Sequence, residues 1–287
     1  MSWAIVADSS CNLRGFEPQT PDCVYRFAPL KINVADEEFI DDASLDVAEL
    51  NRRVSAEETA SSSACPSVGE WADLFRQADN IIAITISANL SGSYEAAVMA
   101  RDIVLEEGER NKEGERNIFI VNSRAAGGKL ELLAVEVDRY LAAHPEATFN
   151  EVTAHICDLE QSSTVLFLLS SYENLAKAGR MPKMAGVLAN KLKIRILGTA
   201  SSEGTIKVVG PARSQKKAFE KIVGCMKGDG YTGGPVYIDH VFNERAAQEL
   251  SDRIHQDWPN AEIIIMPCGG LCSYYAEEDG LIIGYGW

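Results

Sequence analysis

The 287-residue sequence has no apolar run that approaches the about 20 residues needed to cross a bilayer. Its first residues also lack the basic and apolar regions of a secretory signal peptide. The seven cysteines are an odd number without repeated spacing, which argues against the disulfide framework of a secreted protein. We therefore expect a cytoplasmic protein that is not integral to a membrane.

Basic residues are too few to balance the acidic ones, since 27 Lys and Arg face 42 Asp and Glu and leave a net charge of −15. Affinity for nucleic acid comes largely from Lys and Arg contacts to phosphates, so we expect no nucleic-acid partner. The acidity either serves solubility alone or also suits a basic patch on a partner protein. Hydrophobic residues at 46% and charged residues at 24% are typical of a globular protein, and the length predicts two domains.

Metal-binding and nucleotide-binding motifs are absent. The four histidines have no ligand spacing, and Cys268 with Cys272 has no second pair nearby. No P-loop ending or GxGxxG follows a predicted strand, and residues 89–93 do not form the Gly-x-Ser-x-Gly of a serine hydrolase. We expect no cofactor, no metal and no catalysis by this chain. A serine-dependent acyl hydrolase stays open, because folding can bring a histidine beside Ser91.

Apolar runs alternate with helical patterns in the first half of the sequence. Residues 3–7, 80–86 and 117–121 predict buried strands, and the helical patterns between and after them predict a parallel sheet sandwiched by helices. After about residue 155 the patterns predict an α+β region with a mixed or antiparallel sheet and a hairpin turn at 201–204. We predict an α/β protein with an N-terminal α/β/α domain (1–155) and a C-terminal α+β domain (156–287).

Each of the three predicted strands ends in a loop rich in Ser or Asn, the place where open α/β sheets bind ligands. Ser91 precedes a helix whose free N–H groups, together with serine hydroxyls, can bind a carboxylate or phosphate. N-capping by Ser91 or Ser93 is the alternative. Residues 61–67, which include Ser63, form a second hydroxyl cluster for which capping is the simpler interpretation. Gly127 and Gly128 predict close helix packing rather than a phosphate loop.

Arg180 closes a short predicted helix and can either bind an anion or simply complement the helix C-terminus. The apolar residues that follow, from 184 to 196, have helical spacing that is more typical of a core than of a lipid tunnel. Methionines among them would let a cavity adapt to a flexible ligand. We expect any apolar cavity of the C-terminal half to be lined by residues between about 165 and 196.

Taken together, these segments resemble the DegV family, the fatty-acid-binding proteins that serve bacterial fatty acid kinase. The resemblance covers essentially the whole chain. The matching segments are IVADSSCNL (5–13) to the family's IVTDSxxDL, SACPS (63–67) to TSQPS, LSGSY (90–94) to LSGTY, VNSR (121–124) to VDSK, residues 175–181 to LxxGGRI, and PARSQ (211–215) to a late Ala-Arg motif. One departure is MPCGGL (266–271), where the family commonly has a histidine in HTGxG.

The resemblance implies that an acyl chain lies inside the C-terminal domain and that Ser63 and Ser91 hold its carboxylate at the domain interface. It also implies that Arg180 and Arg213 help to bind the lipid or a kinase partner. The expected function is therefore to bind a long-chain fatty acid and present its carboxylate to a fatty acid kinase subunit for phosphorylation. A binder of another carboxylate or phosphate ligand is the alternative, beside the acyl hydrolase.

Overall fold

The computed structural model describes residues 2–57, 61–111, 116–181 and 194–287. The strands, in chain order, are β1 (Trp3–Asp8), β2 (Cys23–Ala28), β3 (Lys31–Val34), β4 (Glu37–Ile40), β5 (Ser62–Ala64), β6 (Asn80–Thr85), β7 (Asn117–Asn122), β8 (Ser163–Leu169), β9 (Arg195–Ala200), β10 (Ile206–Ala212), β11 (Val236–His240), β12 (Ile263–Pro267) and β13 (Leu281–Gly286). The helices are α1 (Val47–Ala56), α2 (Val68–Phe75), α3 (Ser93–Asn111), α4 (Gly128–Ala143), α5 (Phe149–Gln161), α6 (Glu173–Lys177), α7 (Gln215–Gly228), α8 (Glu244–Asp257) and α9 (Gly270–Ala276).

The N-terminal half contains a four-stranded sheet in the order β2-β1-β6-β7, in which every pairing is parallel. Residues 4–8 of β1 and all six residues of β6 are buried, as a central parallel strand requires. Helices α2 and α3 contribute to the core on one face, and α4 contributes to the core on the other. The predicted parallel sheet between helices is confirmed. Strand β2 was not predicted, because at the edge of the sheet its burial is interrupted by the exposed Arg26.

The second half contains a six-stranded mixed sheet in the order β10-β9-β8-β13-β11-β12. Only the β11–β12 pairing is parallel, and β9 and β10 form the predicted hairpin. Side chains alternate between the two faces of β8. Leu166 and Leu168 face a core shared with α7 and α8, whereas Val165 and Leu169 belong to the core shared with α4. The predicted mixed sheet is therefore confirmed.

Helix α4 packs against both large sheets and joins them. Its backbone approaches β13 so closely that a Cβ on Gly128 would lie 2.5 Å from the Gly284 nitrogen. A Cβ on Gly284 would lie 2.0 Å from the Gly128 carbonyl carbon, which no side chain tolerates. Gly127 has φ +64°, a conformation that favours glycine. The predicted packing role of the two adjacent glycines is thus confirmed, and it fixes α4 against the second sheet.

A third, three-stranded antiparallel sheet in the order β4-β3-β5 was not predicted. Its strands have only three or four residues, too few for a periodic pattern to be recognised in the sequence. Strand β5 carries Ser63, so this sheet positions one of the predicted site residues. The apolar residues predicted between 184 and 192 lie outside the described residues. Within the described ranges, no helix has both the length and the apolar character to cross a membrane.

Candidate functional site

A cavity of about 100 Å³ lies where the six-stranded sheet faces the loops after β6 and β7. The sheet lines it with one alternating face of β8 and with the β9–β10 hairpin, and α9 closes another side. Most of the lining is apolar, and its principal apolar residues are Ile86, Leu90, Ala125, Val165, Phe167, Leu169, Leu175, Ile206, Leu271 and Ile282. The lining reaches beyond the predicted range 165–196 into both halves of the chain. The cavity therefore lies between the two large sheets, not within the second half alone.

Ser91 lines this cavity in the loop between β6 and α3. Its backbone N–H donates to the Ser87 carbonyl at 3.1 Å, and its Oγ accepts from the Ser93 N–H at 3.3 Å. Within the described part of the chain, no hydrogen bond uses the proton of the Ser91 hydroxyl. Ser93 does not cap α3, because its hydroxyl donates to Asp8 Oδ2 at 2.7 Å. Ser91 thus has a half-buried hydroxyl with a proton to donate to a ligand.

Ser63 lines the same cavity from β5. Its Oγ lies 2.8 Å from the hydroxyl of Tyr275 on α9, which also lines the cavity. The capping interpretation applies to another serine of this cluster, since Ser67 caps α2 in a capping box with Glu70. Sequence reasoning missed Tyr275, because its partner is 212 residues away and no local motif connects the two.

Arg180 is exposed and also lines the cavity. Its Nε donates to the carbonyl of Leu90 at 2.7 Å, next to Ser91. No described residue accepts a hydrogen bond from its two terminal nitrogens. The second arginine of the lining, Arg124, is paired with Glu160, which also binds Lys129 at 2.8 Å. Burial acts to raise the pKa of Glu160, but the bonds from these two cations hold it below its ordinary value.

Arg213 is not among the residues that line the cavity. It is exposed and follows the end of β10, whereas Ile206 at the start of that strand lines the cavity. Across the sheet, however, Pro211 pairs with Ile196, and Ile196 pairs with Leu169 of the lining, so Arg213 follows the end of the strand that is two strands from Leu169. The structure therefore places Ser63, Ser91 and Arg180 in the lining of one cavity and Arg213 on the surface outside that lining.

The segment Asp8-Ser9-Ser10 begins at the last residue of β1, is fully buried and supports the cavity without lining it. Asp8 Oδ2 accepts from the Ile86 N–H at 2.8 Å and from Ser93 Oγ, while its Oδ1 accepts from the Ser10 N–H and hydroxyl. Burial raises the pKa of Asp8, and these four hydrogen bonds act in the opposite direction. The Asp8 carboxylate thus fixes the loop that carries Ser91.

Residues 266–271, which lack the family's histidine, lead into α9. The backbone N–H groups of Gly270 and Leu271 donate to the two carboxylate oxygens of Asp41, at 2.7 and 3.0 Å. Arg14 pairs with the same carboxylate at 3.0 Å. The start of α9 is therefore occupied by an anion of the protein itself. Cys268 is buried, and burial raises the pKa of its thiol, so it is no candidate nucleophile at neutral pH.

No histidine is among the described residues that line the cavity. His155 stacks on Tyr140, and His255 lies 3.0 Å from the carbonyl of Ala261. His144 contacts the Tyr140 carbonyl, and His240 lines a separate groove. None of the four is placed to activate Ser91, so the geometry does not favour an acyl hydrolase. Across residues 2–57, 61–111, 116–181 and 194–287, no three His, Cys, Asp or Glu side chains group to hold a metal ion.

A family profile, a related sequence and solved structures all match this chain over nearly its whole length. The profile of the DegV family, described as uncharacterised proteins, matches residues 2–285. A DegV domain-containing protein of Streptococcus pneumoniae is 37% identical over 285 residues, which cover 99% of each chain. The crystal structure of the Streptococcus pneumoniae fatty acid kinase (Fak) B3 protein, loaded with linoleic acid, matches with a TM-score of 0.95 at 37% identity and covers 100% of this chain and 99% of that one. A DegV family protein from Eubacterium eligens loaded with heptadecanoic acid matches with a TM-score of 0.92 at 31% identity and 99% coverage of both chains.

Proposed function

The chain belongs to the DegV family, and from that membership we propose that it binds a long-chain fatty acid in the cavity between its two large sheets. The observation that carries the proposal is that Ser63, Ser91 and Arg180 line one apolar cavity. Two proteins with closely similar folds are described as loaded with linoleic and heptadecanoic acid, which supports a fatty acid as the ligand class.

The chemistry of the cavity wall suits an acyl chain with a carboxylate at one end. Burying an alkyl chain gains about 0.8 kcal/mol per CH₂, so the apolar lining supplies most of the binding free energy. A carboxylate that leaves water needs charge-assisted hydrogen bonds. The Ser91 hydroxyl and the terminal nitrogens of Arg180 supply donors that no described residue uses, and Ser63 supplies a second hydroxyl.

We further propose that this protein works in the cytoplasm and presents the carboxylate to a separate fatty acid kinase subunit. The name of the similar Streptococcus pneumoniae protein, a fatty acid kinase B3 protein, supports this step. Ser63 and Ser91 are half-buried and Arg180 is exposed, so the carboxylate would lie close to the surface. Arg213 is a candidate contact for the partner, because it is exposed and is not among the residues that line the cavity.

The test of lipid binding combines native mass spectrometry of the purified protein with titration of oleate into a delipidated sample. We expect a co-purified acyl chain and a Ser91→Ala variant that binds oleate about ten- to a hundredfold more weakly, since a hydrogen bond to a charged group contributes about 1.5–3 kcal/mol. Ser202→Ala is the control, because Ser202 is exposed in the hairpin and outside the lining. A polar co-purified ligand with no oleate binding would support the alternative of another carboxylate or phosphate ligand.

The test of presentation incubates protein, fatty acid and ATP with and without a candidate kinase subunit and measures acyl-phosphate. We expect product only when the kinase is present. Product without the kinase would make this chain an enzyme. Tight lipid binding without product in any combination would contradict the presentation step and leave a carrier.

A further inference from the structure

The contact between Ser63 and Tyr275 has a chemical consequence for the carboxylate site. The two hydroxyl oxygens are 2.8 Å apart, and each group carries a single proton. If Ser63 donates its proton to a bound carboxylate, only the Tyr275 proton remains to form the bond between the two hydroxyls. The direction of the bond is then determined: Tyr275 donates and Ser63 accepts.

From this we propose that Tyr275 is a positioning residue, which orients the Ser63 proton toward the fatty acid carboxylate. The inference rests on the proposed fatty acid function. Without the phenol, the Ser63 hydroxyl is free to rotate and to donate to other acceptors in the cavity wall. A hydroxyl that accepts a hydrogen bond is also a stronger donor, because the bonds in a chain polarise one another. Tyr275 therefore strengthens carboxylate binding through Ser63.

The chain contains a matched pair that serves as the control. The hydroxyl of Tyr274 lies 2.7 Å from Ser61 Oγ, the same kind of contact one residue away on α9. The rings of the two tyrosines pack edge to face with centroids 4.7 Å apart. Tyr274 is fully buried and is not among the lining residues of the cavity, whereas Tyr275 is. Removing either hydroxyl removes one equivalent hydrogen bond, but only one of the two bonds is connected to the ligand site.

The experiment measures the affinity of Tyr275→Phe and Tyr274→Phe for oleate and for methyl oleate, which has the same alkyl chain without the negative charge. We expect Tyr275→Phe to bind oleate roughly five- to tenfold more weakly. Its affinity for methyl oleate should change less than about twofold, because a hydrogen bond to a neutral acceptor is weaker. Tyr274→Phe should bind both ligands like the unmodified protein. In a Ser63→Ala background, Tyr275→Phe should cause no further loss of oleate affinity, because the hydrogen bond between Tyr275 and Ser63 is already absent.

Three results would overturn the inference. Unchanged oleate affinity in Tyr275→Phe would mean that the phenol does not act on the carboxylate. An equal loss for oleate and methyl oleate would mean that the hydroxyl only supports the cavity wall. The same loss in the Ser63→Ala background would mean that Tyr275 contacts the carboxylate directly. If the unmodified protein binds no fatty acid at all, the proposed function itself fails, which distinguishes the two failures.

Discussion

The loops after β1 and β6 are neighbours at one edge of the parallel sheet and have similar compositions, yet they have different roles. Both follow a buried apolar strand, and both are rich in serine and asparagine. In the first loop, Ser9 and Ser10 are fully buried and bonded within the protein. In the second, Ser91 is half-buried and lines the cavity. A serine in a loop at the end of a strand is therefore either part of the scaffold or part of the binding surface, and its burial decides which.

The two loops are also connected, because the first one holds the second. Asp8 ends β1 and bonds to the start of the second loop at Ile86 and to its far end at Ser93. The backbone N–H of Asn12 donates to the fully buried Glu131 on α4 at 2.9 Å. The first loop thus ties the second loop to helix α4, and it contributes to ligand binding only through that support.

The largest effect should come from Asp8→Ala. The substitution leaves four buried donors without their acceptor, so we expect the free energy of unfolding to fall by about 3–5 kcal/mol. Ser91→Ala, in the neighbouring loop, should change it by less than about 1 kcal/mol while weakening oleate binding. Urea unfolding followed by circular dichroism measures both variants. A loss below about 1 kcal/mol for Asp8→Ala would remove the distinction between scaffold loop and binding loop.

A second test concerns two buried acidic residues, Glu131 on α4 and Asp239 on β11. Burial raises the pKa of both Glu131 and Asp239, and each carboxyl lies close enough to influence the other. Glu131 Oε2 and both oxygens of Asp239 form no well-aligned hydrogen bond with the described residues, although Asn12 and Gly128 lie close to Asp239. A proton shared between the two carboxyls would satisfy one of these oxygens, as in other carboxyl pairs that share one proton. We infer that the pair keeps a proton at pH values where an exposed aspartate has lost its own.

The sign of the resulting pH dependence follows from linkage. The unfolded chain releases the Asp239 proton near the ordinary pKa of 3.8, whereas the folded protein retains it to higher pH. Stability should therefore fall as the pH rises above about 4, by up to about 1.4 kcal/mol per pH unit until the raised pKa is passed. Asp239→Asn should flatten this decline between pH 5 and 8, as measured by urea unfolding. The exposed Asp36→Asn is the control, and an equal slope in Asp239→Asn and the unmodified protein would contradict the shared proton.

The smallest effect should come from Arg213→Ala. Because Arg213 is exposed and is not among the residues that line the cavity, we expect the oleate affinity of this variant to stay within about twofold of the unmodified protein. Arg180→Ala should lower that affinity by about tenfold, since it removes a charged donor from the cavity wall. In the kinase-dependent assay, Arg213→Ala should reduce acyl-phosphate formation without changing lipid binding. Weakened oleate binding in Arg213→Ala would place this residue at the lipid site and contradict its proposed role as a contact for the partner.

The sequence alone determined the elements whose signal is local. Buried strands such as β1 and β6 were predicted to within one or two residues, because continuous apolar runs need no partner to be recognised. The family resemblance also predicted Ser63 and Ser91 as ligand-binding residues, and the fold brings both to the lining of one cavity. Edge strand β2 and the short strands β3 to β5 have no such local signal, so their formation depends on pairing with distant residues.

Only the tertiary structure decided which of these segments meet. The partners Ser63 and Tyr275 are 212 residues apart, and no periodicity or motif spacing encodes such a contact. The fold likewise put Arg180 in the cavity lining but left Arg213 outside it, and it buried Asp8-Ser9-Ser10 as a support for the cavity. The physical reason is that the spacing of hydrophobic residues and the identity of turn residues determine structure only over a few neighbouring positions of the chain. Burial, proton sharing and access to a ligand depend instead on packing between elements that are distant in sequence.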